Sequence, residues 1–196
     1  RYALLGHEFA ERHPKIGYRE ITDAEPPSLL VSLGGSDPMN VTDQILDSLE
    51  PEFSWLQEID VVISRHHPRR NAFIEKWNRY SHLKVHVQPP SLATLLASAD
   101  IAIGAGGSSA LERLCMGVPS IILVTADNQQ AVAKALSERR LAVVIEDPWS
   151  AADEVRVQLK RLTKDAKLRN EIAAKGSAIV DGQGTQRVAD TLEGWA

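Results

Sequence analysis

The sequence predicts an α/β domain built on a doubly wound parallel sheet of about six strands. Two observations carry this. Short apolar runs alternate along the chain with segments whose apolar positions recur at helical spacing. Several of those runs stop at glycine-rich loops, as strands that feed helices in βαβ units do.

Residues 1–27 read as irregular and polar, closing on Glu25-Pro26-Pro27, a sequence that cannot continue a helix. They are expected to form a linker or inter-domain crossover. Residues 28–33 are an apolar run stopped by Gly34-Gly35, which reads as a buried strand. Val41–Leu49 carries apolar residues at 41, 45, 46 and 49, one face of a helix. Ile59–Ile63 is the next strand. A helix over 71–80 follows, with Phe73, Ile74 and Trp77 on one side, and then a strand with polar alternation at Leu83–Val87. Ser91 is placed to cap a helix over 92–98. The strand at 100–103 runs straight into Gly104-Ala105-Gly106-Gly107, and the helix at 110–116 is stopped by Gly117 at the C′ position. A strand at 119–124, a helix at 128–139 and a strand at 141–145 complete the alternation. Beyond residue 150 the pattern is helical, with breaks expected near Gly176 and Gly182. The sheet-bearing domain is expected over 28–182 and a closing helix over 183–196. Right-handed crossovers would place helices on both faces of the sheet, a Rossmann-like arrangement.

Composition narrows the function. At 196 residues with 43% hydrophobic content the chain is long enough to bury a sizeable core without staples. Its single cysteine, Cys115, excludes an internal disulfide framework and a Cys-based zinc site. It fits a reducing compartment, and the cytoplasm is the expected location. A net charge of −4 with only 5% aromatic residues lacks the basic footprint of a nucleic-acid binder. No apolar run approaches the ~20 residues needed to cross a bilayer, so no membrane insertion is expected. The histidines show no metal-ligand spacing, no metal or cofactor is expected, and no Gly-x-Ser-x-Gly elbow is present.

In an open parallel sheet, ligands bind beyond the carboxyl ends of the strands, near the reversal of strand order. Three loops in such positions stand out. Gly34-Gly35-Ser36-Asp37-Pro38 follows the first strand; its glycines permit close approach of backbone to ligand, or simply a tight turn. Gly104-Ala105-Gly106-Gly107-Ser108-Ser109 follows the fourth strand and opens a helix. Free N–H groups there suit a diphosphate, although the loop is neither a Walker A sequence nor a full GxGxxG. Glu112, on the first turn of that helix, is a candidate ribose ligand. Ser109-Ala110-Leu111-Glu112 equally fits a Ser-x-x-Glu capping box, and the residues alone do not separate the two roles. Asp127-Asn128-Gln129-Gln130 follows the fifth strand, where side-chain amides can reach phosphate or sugar groups or cap a helix. His66-His67 follow the second strand at a rim position, with adjacent side chains expected on opposite sides.

The segment from Gly106 to Pro119, followed by Asp127-Asn128-Gln129, resembles the nucleotide-binding half of GT-B proteins. Within that superfamily it is most similar to the UDP-diacetamido-trideoxy-altrose hydrolases of pseudaminic acid biosynthesis and the related spore-coat polysaccharide proteins. Val31 to Pro38 looks like that family's first strand and loop of the second domain, Tyr2 to Gly6 like the crossover before it, and Asp181 to Val188 like its closing helix. The lipid-linked muramyl-peptide GlcNAc transferases share the same plan. The resemblance implies a UDP-sugar ligand. Uracil would rest on backbone between Gln88 and Ser91. Glu112 would hold the ribose, and Gly107, Ser108 and Ser109 the diphosphate, helped by Gly35 and Ser36. Asn128 would contact phosphate or sugar. In the hydrolases water attacks the sugar and releases UDP, with a histidine base on a glycine-rich loop of an N-terminal half, the expected covalent partner of these residues. This chain alone is then expected to bind nucleotide with little turnover. Apolar surface is expected beside the glycine loops, where the two halves would face each other.

Overall fold

The computed structural model describes residues 2–14, 22–34, 37, 39–147 and 151–194. Six parallel strands form one sheet in the order β3-β2-β1-β4-β5-β6. They are β1 (Leu29–Ser32), β2 (Ile59–Ile63), β3 (Leu83–Val87), β4 (Ile101–Ala105), β5 (Ser120–Leu123) and β6 (Val143–Ile145). The Rossmann-like doubly wound sheet read from the sequence is the observed fold. Strand order reverses between β1 and β4, which pair in register from Leu29 with Ile101 to Ser32 with Gly104.

Every residue of β1, β4 and β5 is buried, as expected of central parallel strands covered on both faces. Alternate side chains go to opposite faces. Leu29, Val31, Ile101, Ile103, Ile121 and Leu123 pack with α2 (Val41–Leu49) and α7 (Ala151–Thr163) through Ile45, Leu46, Leu49, Val155, Leu159 and Leu162. Leu30, Ala102 and Ile122 face the other way, onto α4 (Ala93–Ser98), α5 (Ser109–Cys115) and α6 (Gln130–Glu138) through Leu96, Ala110, Leu114 and Leu136. The remaining helices are α1 (His7–Glu11), α3 (Arg70–Trp77), α8 (Ala166–Ile179) and α9 (Gly184–Glu193).

Three sequence expectations need correction. The leading segment is not irregular throughout. It forms α1, whose Phe9, with Leu5 just before it, is buried in the second core. It also meets the end of the chain, because the Thr185 hydroxyl donates to the Leu5 carbonyl at 2.7 Å. Gly176 does not break the terminal helices; it lies buried inside α8. A Cβ there would meet Leu114 Cδ2 at 3.0 Å and the Leu114 carbonyl at 3.3 Å, so the glycine serves close packing of α8 on α5. The break falls instead at Asp165, whose carboxylate accepts the Leu168 N–H at 2.8 Å and caps α8. Lastly, β4 runs on through Gly104 and Ala105, two residues expected to be loop. Gly117 behaves as read, with φ of 64° just past α5.

Candidate nucleotide site

The loops after β1 and β4 flank the crevice at the reversal of strand order, where an open α/β sheet receives its ligand. The β4 loop is the more elaborate. Gly106 is buried, and a Cβ on it would press at 3.3 Å on both Ile122 Cγ2 and Gln129 Cβ. Gly107 is half-buried, and a Cβ there would meet nothing within 4 Å. It therefore borders open space. Among the described residues the N–H groups of Gly107, Ser108 and Ser109 find no acceptor. They are the orphan donors of a helix start, on the loop that follows β4.

Glu112 sits one turn along α5, half-buried, and its carboxylate makes no hydrogen bond among the described residues. Burial pushes its carboxyl above the usual range; the Arg113 charge pulls against this and the Glu8 carboxylate of α1 adds to the push. The capping-box alternative is not realised. Ser108 occupies the N-cap position, Ser109 is the first helical residue, and no side-chain cap bond forms. Glu112 is thus a strong acceptor that the fold itself leaves unused.

Asn128 lies in a one-turn helix, Asp127–Gln129, exposed and, among the described residues, without a hydrogen bond from its side chain. That turn also lacks a side-chain cap, so neither Asp127 nor Asn128 plays the capping role considered for them. Gln88, at the end of β3, adopts φ of 45°, and its N–H donates to the Ile63 carbonyl at 2.8 Å. Its side-chain oxygen accepts from Arg65 Nε at 2.6 Å. The two residues border a cleft of about 400 Å³ whose wall also includes Gly34, His66, Pro89 and Leu92. Gly35 and Ser36 lie outside the described residues. Met39 and Val87 are large apolar side chains left exposed near these strand ends, at 57% and 38%.

Three further residues shape the site: Asp37 and Gln129 lie in loops that the sequence marked, and Arg113 was given no role there. Asp37 reaches from the β1 loop to the start of α2, accepting the Val41 N–H at 2.8 Å and the Thr42 N–H at 2.9 Å. Behind it lies buried His67, with Nε2 4.0 Å from the Asp37 carboxylate, while neighbouring His66 is exposed at the cleft. Gln129 ties the β4 and β5 loops together with one side-chain oxygen, which accepts from the N–H groups of Gly106 and Thr125. Arg113 lies under the β4 loop, 2% exposed, donating to the Ala105 carbonyl at 2.6 Å and the Ser109 hydroxyl at 3.2 Å. Burial pushes its guanidinium down to about 10, with Glu112 opposing. The spacing of Ser109 and Arg113, four residues apart on one helix face, was the available signal.

No family model matches the chain. It is 30% identical over 169 residues to the spore coat polysaccharide biosynthesis protein SpsG of Bacillus subtilis, covering 85% of this chain and 50% of that protein. It is 22% identical over 177 residues to the UDP-N-acetylglucosamine–N-acetylmuramyl-(pentapeptide) pyrophosphoryl-undecaprenol N-acetylglucosamine transferase of Bacillus licheniformis, covering 87% and 48%. Among solved structures, MurG of Acinetobacter baumannii superposes with a TM-score of 0.70 at 19% identity, covering 90% of this chain and 52% of that one. The chain has a GT-B-type fold. The separately crystallised C-terminal CMP-Kdo binding domain of WaaA from Acinetobacter baumannii is matched over 98% of its length and 89% of this chain, with a TM-score of 0.57 at 14% identity. The chain spans about half or less of the length of the curated relatives it matches. Among the described residues no helix is long and apolar enough to cross a membrane.

Proposed function

We propose that this domain binds a UDP-sugar and forms the donor half of a nucleotide-sugar hydrolase of surface-polysaccharide biosynthesis. The observation that carries the reading is the pairing of Glu112 with the β4 loop. Among the described residues, a half-buried carboxylate without a partner stands one helical turn from three backbone N–H groups without acceptors. A nucleoside diphosphate offers the complement: ribose hydroxyls to donate to Glu112 and diphosphate oxygens to accept from Gly107, Ser108 and Ser109. The cleft beside Gln88 is the natural seat for the base, and Asn128 is free to contact phosphate or sugar. Gly35 and Ser36 are assigned to the diphosphate by resemblance alone. The likeness to the spore-coat protein supports the polysaccharide context. The general base belongs to an N-terminal half, so the chain by itself binds rather than turns over. The one free thiol, Cys115, is buried, which suits a cytoplasmic setting.

A second reading, the donor half of a glycosyltransferase, is favoured by the likeness to the lipid-linked muramyl-peptide transferase. Both readings share the UDP site. Calorimetric titration with UDP, with ADP and GDP as controls, tests that site. Selective UDP binding supports it, and equal or absent response to all three removes it. Sugar release into water by the full-length protein, without an acceptor, then separates hydrolase from transferase.

A further inference from the structure

Arg113 is a buried charge with no ion-pair partner among the described residues; the Glu112 charge acts on it only from beyond ion-pair distance. It is 2% exposed, no carboxylate among the described residues lies within ion-pair distance, and its Nε finds no acceptor. A buried charge in this state is costly unless an anion approaches it. The guanidinium is pinned between the Ala105 carbonyl and the Ser109 hydroxyl and pressed against the Gly104 backbone. The bond to Ser109 fixes the direction of the serine's own proton. A hydroxyl that accepts from a cation keeps one O–H to donate, and the Ser109 hydroxyl meets no acceptor among the described residues. Ser109 is also half-buried at the head of α5, on the loop whose Gly107 borders open space.

We propose that Arg113 is a positioning residue that works through Ser109: the buried guanidinium holds the serine hydroxyl as a polarised donor to a diphosphate oxygen of the bound nucleotide, and that diphosphate is the counter-anion Arg113 lacks. This rests on the UDP reading above and adds to it the residue that makes the site selective for a diphosphate over an uncharged nucleoside. A purely structural arginine would affect every nucleotide ligand alike. An arginine acting through Ser109 affects the diphosphate only.

The test is the affinity of the chain for UDP and for uridine, measured by calorimetry for the unsubstituted protein, Ser109→Ala, Ser109→Thr, Arg113→Gln and the Ser109→Ala/Arg113→Gln double variant. Ser109→Ala is expected to weaken UDP about tenfold, the scale of one charge-assisted hydrogen bond, and to leave uridine within about twofold. Ser109→Thr, which keeps the hydroxyl, retains most of the UDP affinity. Arg113→Gln shifts UDP in the same direction, and the double variant loses little more than the larger single loss, because the two groups act in series. Should Arg113→Gln not fold, the Ser109→Ala and Ser109→Thr pair decides. Unchanged UDP affinity in Ser109→Ala, equal losses for UDP and uridine, or additive single losses overturn this inference while leaving the UDP site standing. Failure of the unsubstituted chain to bind UDP overturns that site as well.

Discussion

The side-chain oxygen of Gln129 accepts the Gly106 N–H at 3.2 Å while also accepting the Thr125 N–H at 3.0 Å. One atom thereby joins the loop after β4 to the loop after β5, and sets how far the orphan N–H groups of Gly107 to Ser109 stand from Asn128. Gln129→Ala leaves both donors without this acceptor. Urea denaturation should show a loss of about 1–2 kcal/mol, and UDP affinity should fall with it. Gln129→Glu keeps the acceptor, so stability should hold, but the added negative charge beside the loop should still weaken UDP.

Gly104 and Gly107 stand three residues apart and should respond oppositely to the same change. A Cβ at Gly104 would come within 2.6 Å of Arg113 Cζ and 2.8 Å of the Ser32 carbonyl, in the middle of the sheet. Gly104→Ala should destabilise by about 1–3 kcal/mol through overpacking. A Cβ at Gly107 meets nothing, so Gly107→Ala should leave stability within about 0.5 kcal/mol. If ligand backbone contacts form there, the same methyl should weaken UDP. Loss of UDP binding without loss of melting temperature is the expected signature. Intact UDP binding in Gly107→Ala would move the diphosphate elsewhere.

The Asp37 carboxylate takes the first two N–H groups of α2 from a left-handed backbone position, φ 45°. Asp37→Ala should cost about 1–2 kcal/mol, read by denaturant midpoint. Asp37→Asn should cost less, because asparagine tolerates that conformation and keeps one acceptor.

What could be read from residues alone follows physical range. The spans of α2, β2 and β3 match their sequence patterns, because periodicity and strong punctuation act within a few residues. The glycine loop after β4 was legible for the same reason. Gly176 was misread as a break because what requires it is Leu114, on another helix. The helix of the leading segment went unread because its buried Leu5 and Phe9 answer to residues more than 80 positions away, such as Leu96 and Leu114. Glu112 was left between two roles since a capping box and a ribose ligand share one spacing; only the unformed cap bond separates them. Arg113 was missed because a lone arginine after a glutamate on a short helix reads as surface, and its burial is a property of the packed sheet.

Glu112 provides a prediction with two readouts of opposite sign. Burial raises its carboxyl in the folded chain, so the folded state holds the proton more tightly than the unfolded one. Stability then falls as pH rises from the ordinary glutamate range through the raised folded value, and the full cost is present above that value. Glu112→Gln removes the buried charge. Its melting temperature at neutral pH should therefore equal or exceed that of the unsubstituted chain, and the difference should vanish once the pH is low enough to protonate Glu112 in both states. UDP binding should move the other way, weakening by about 1–3 kcal/mol as the charge-assisted bonds to the ribose are lost. Repeating the titration with 2′-deoxy-UDP removes one of the proposed donors, and the penalty of Glu112→Gln should shrink accordingly. A variant that is less stable yet binds UDP unchanged would return Glu112 to a structural role, and the ribose would have to be held by another residue.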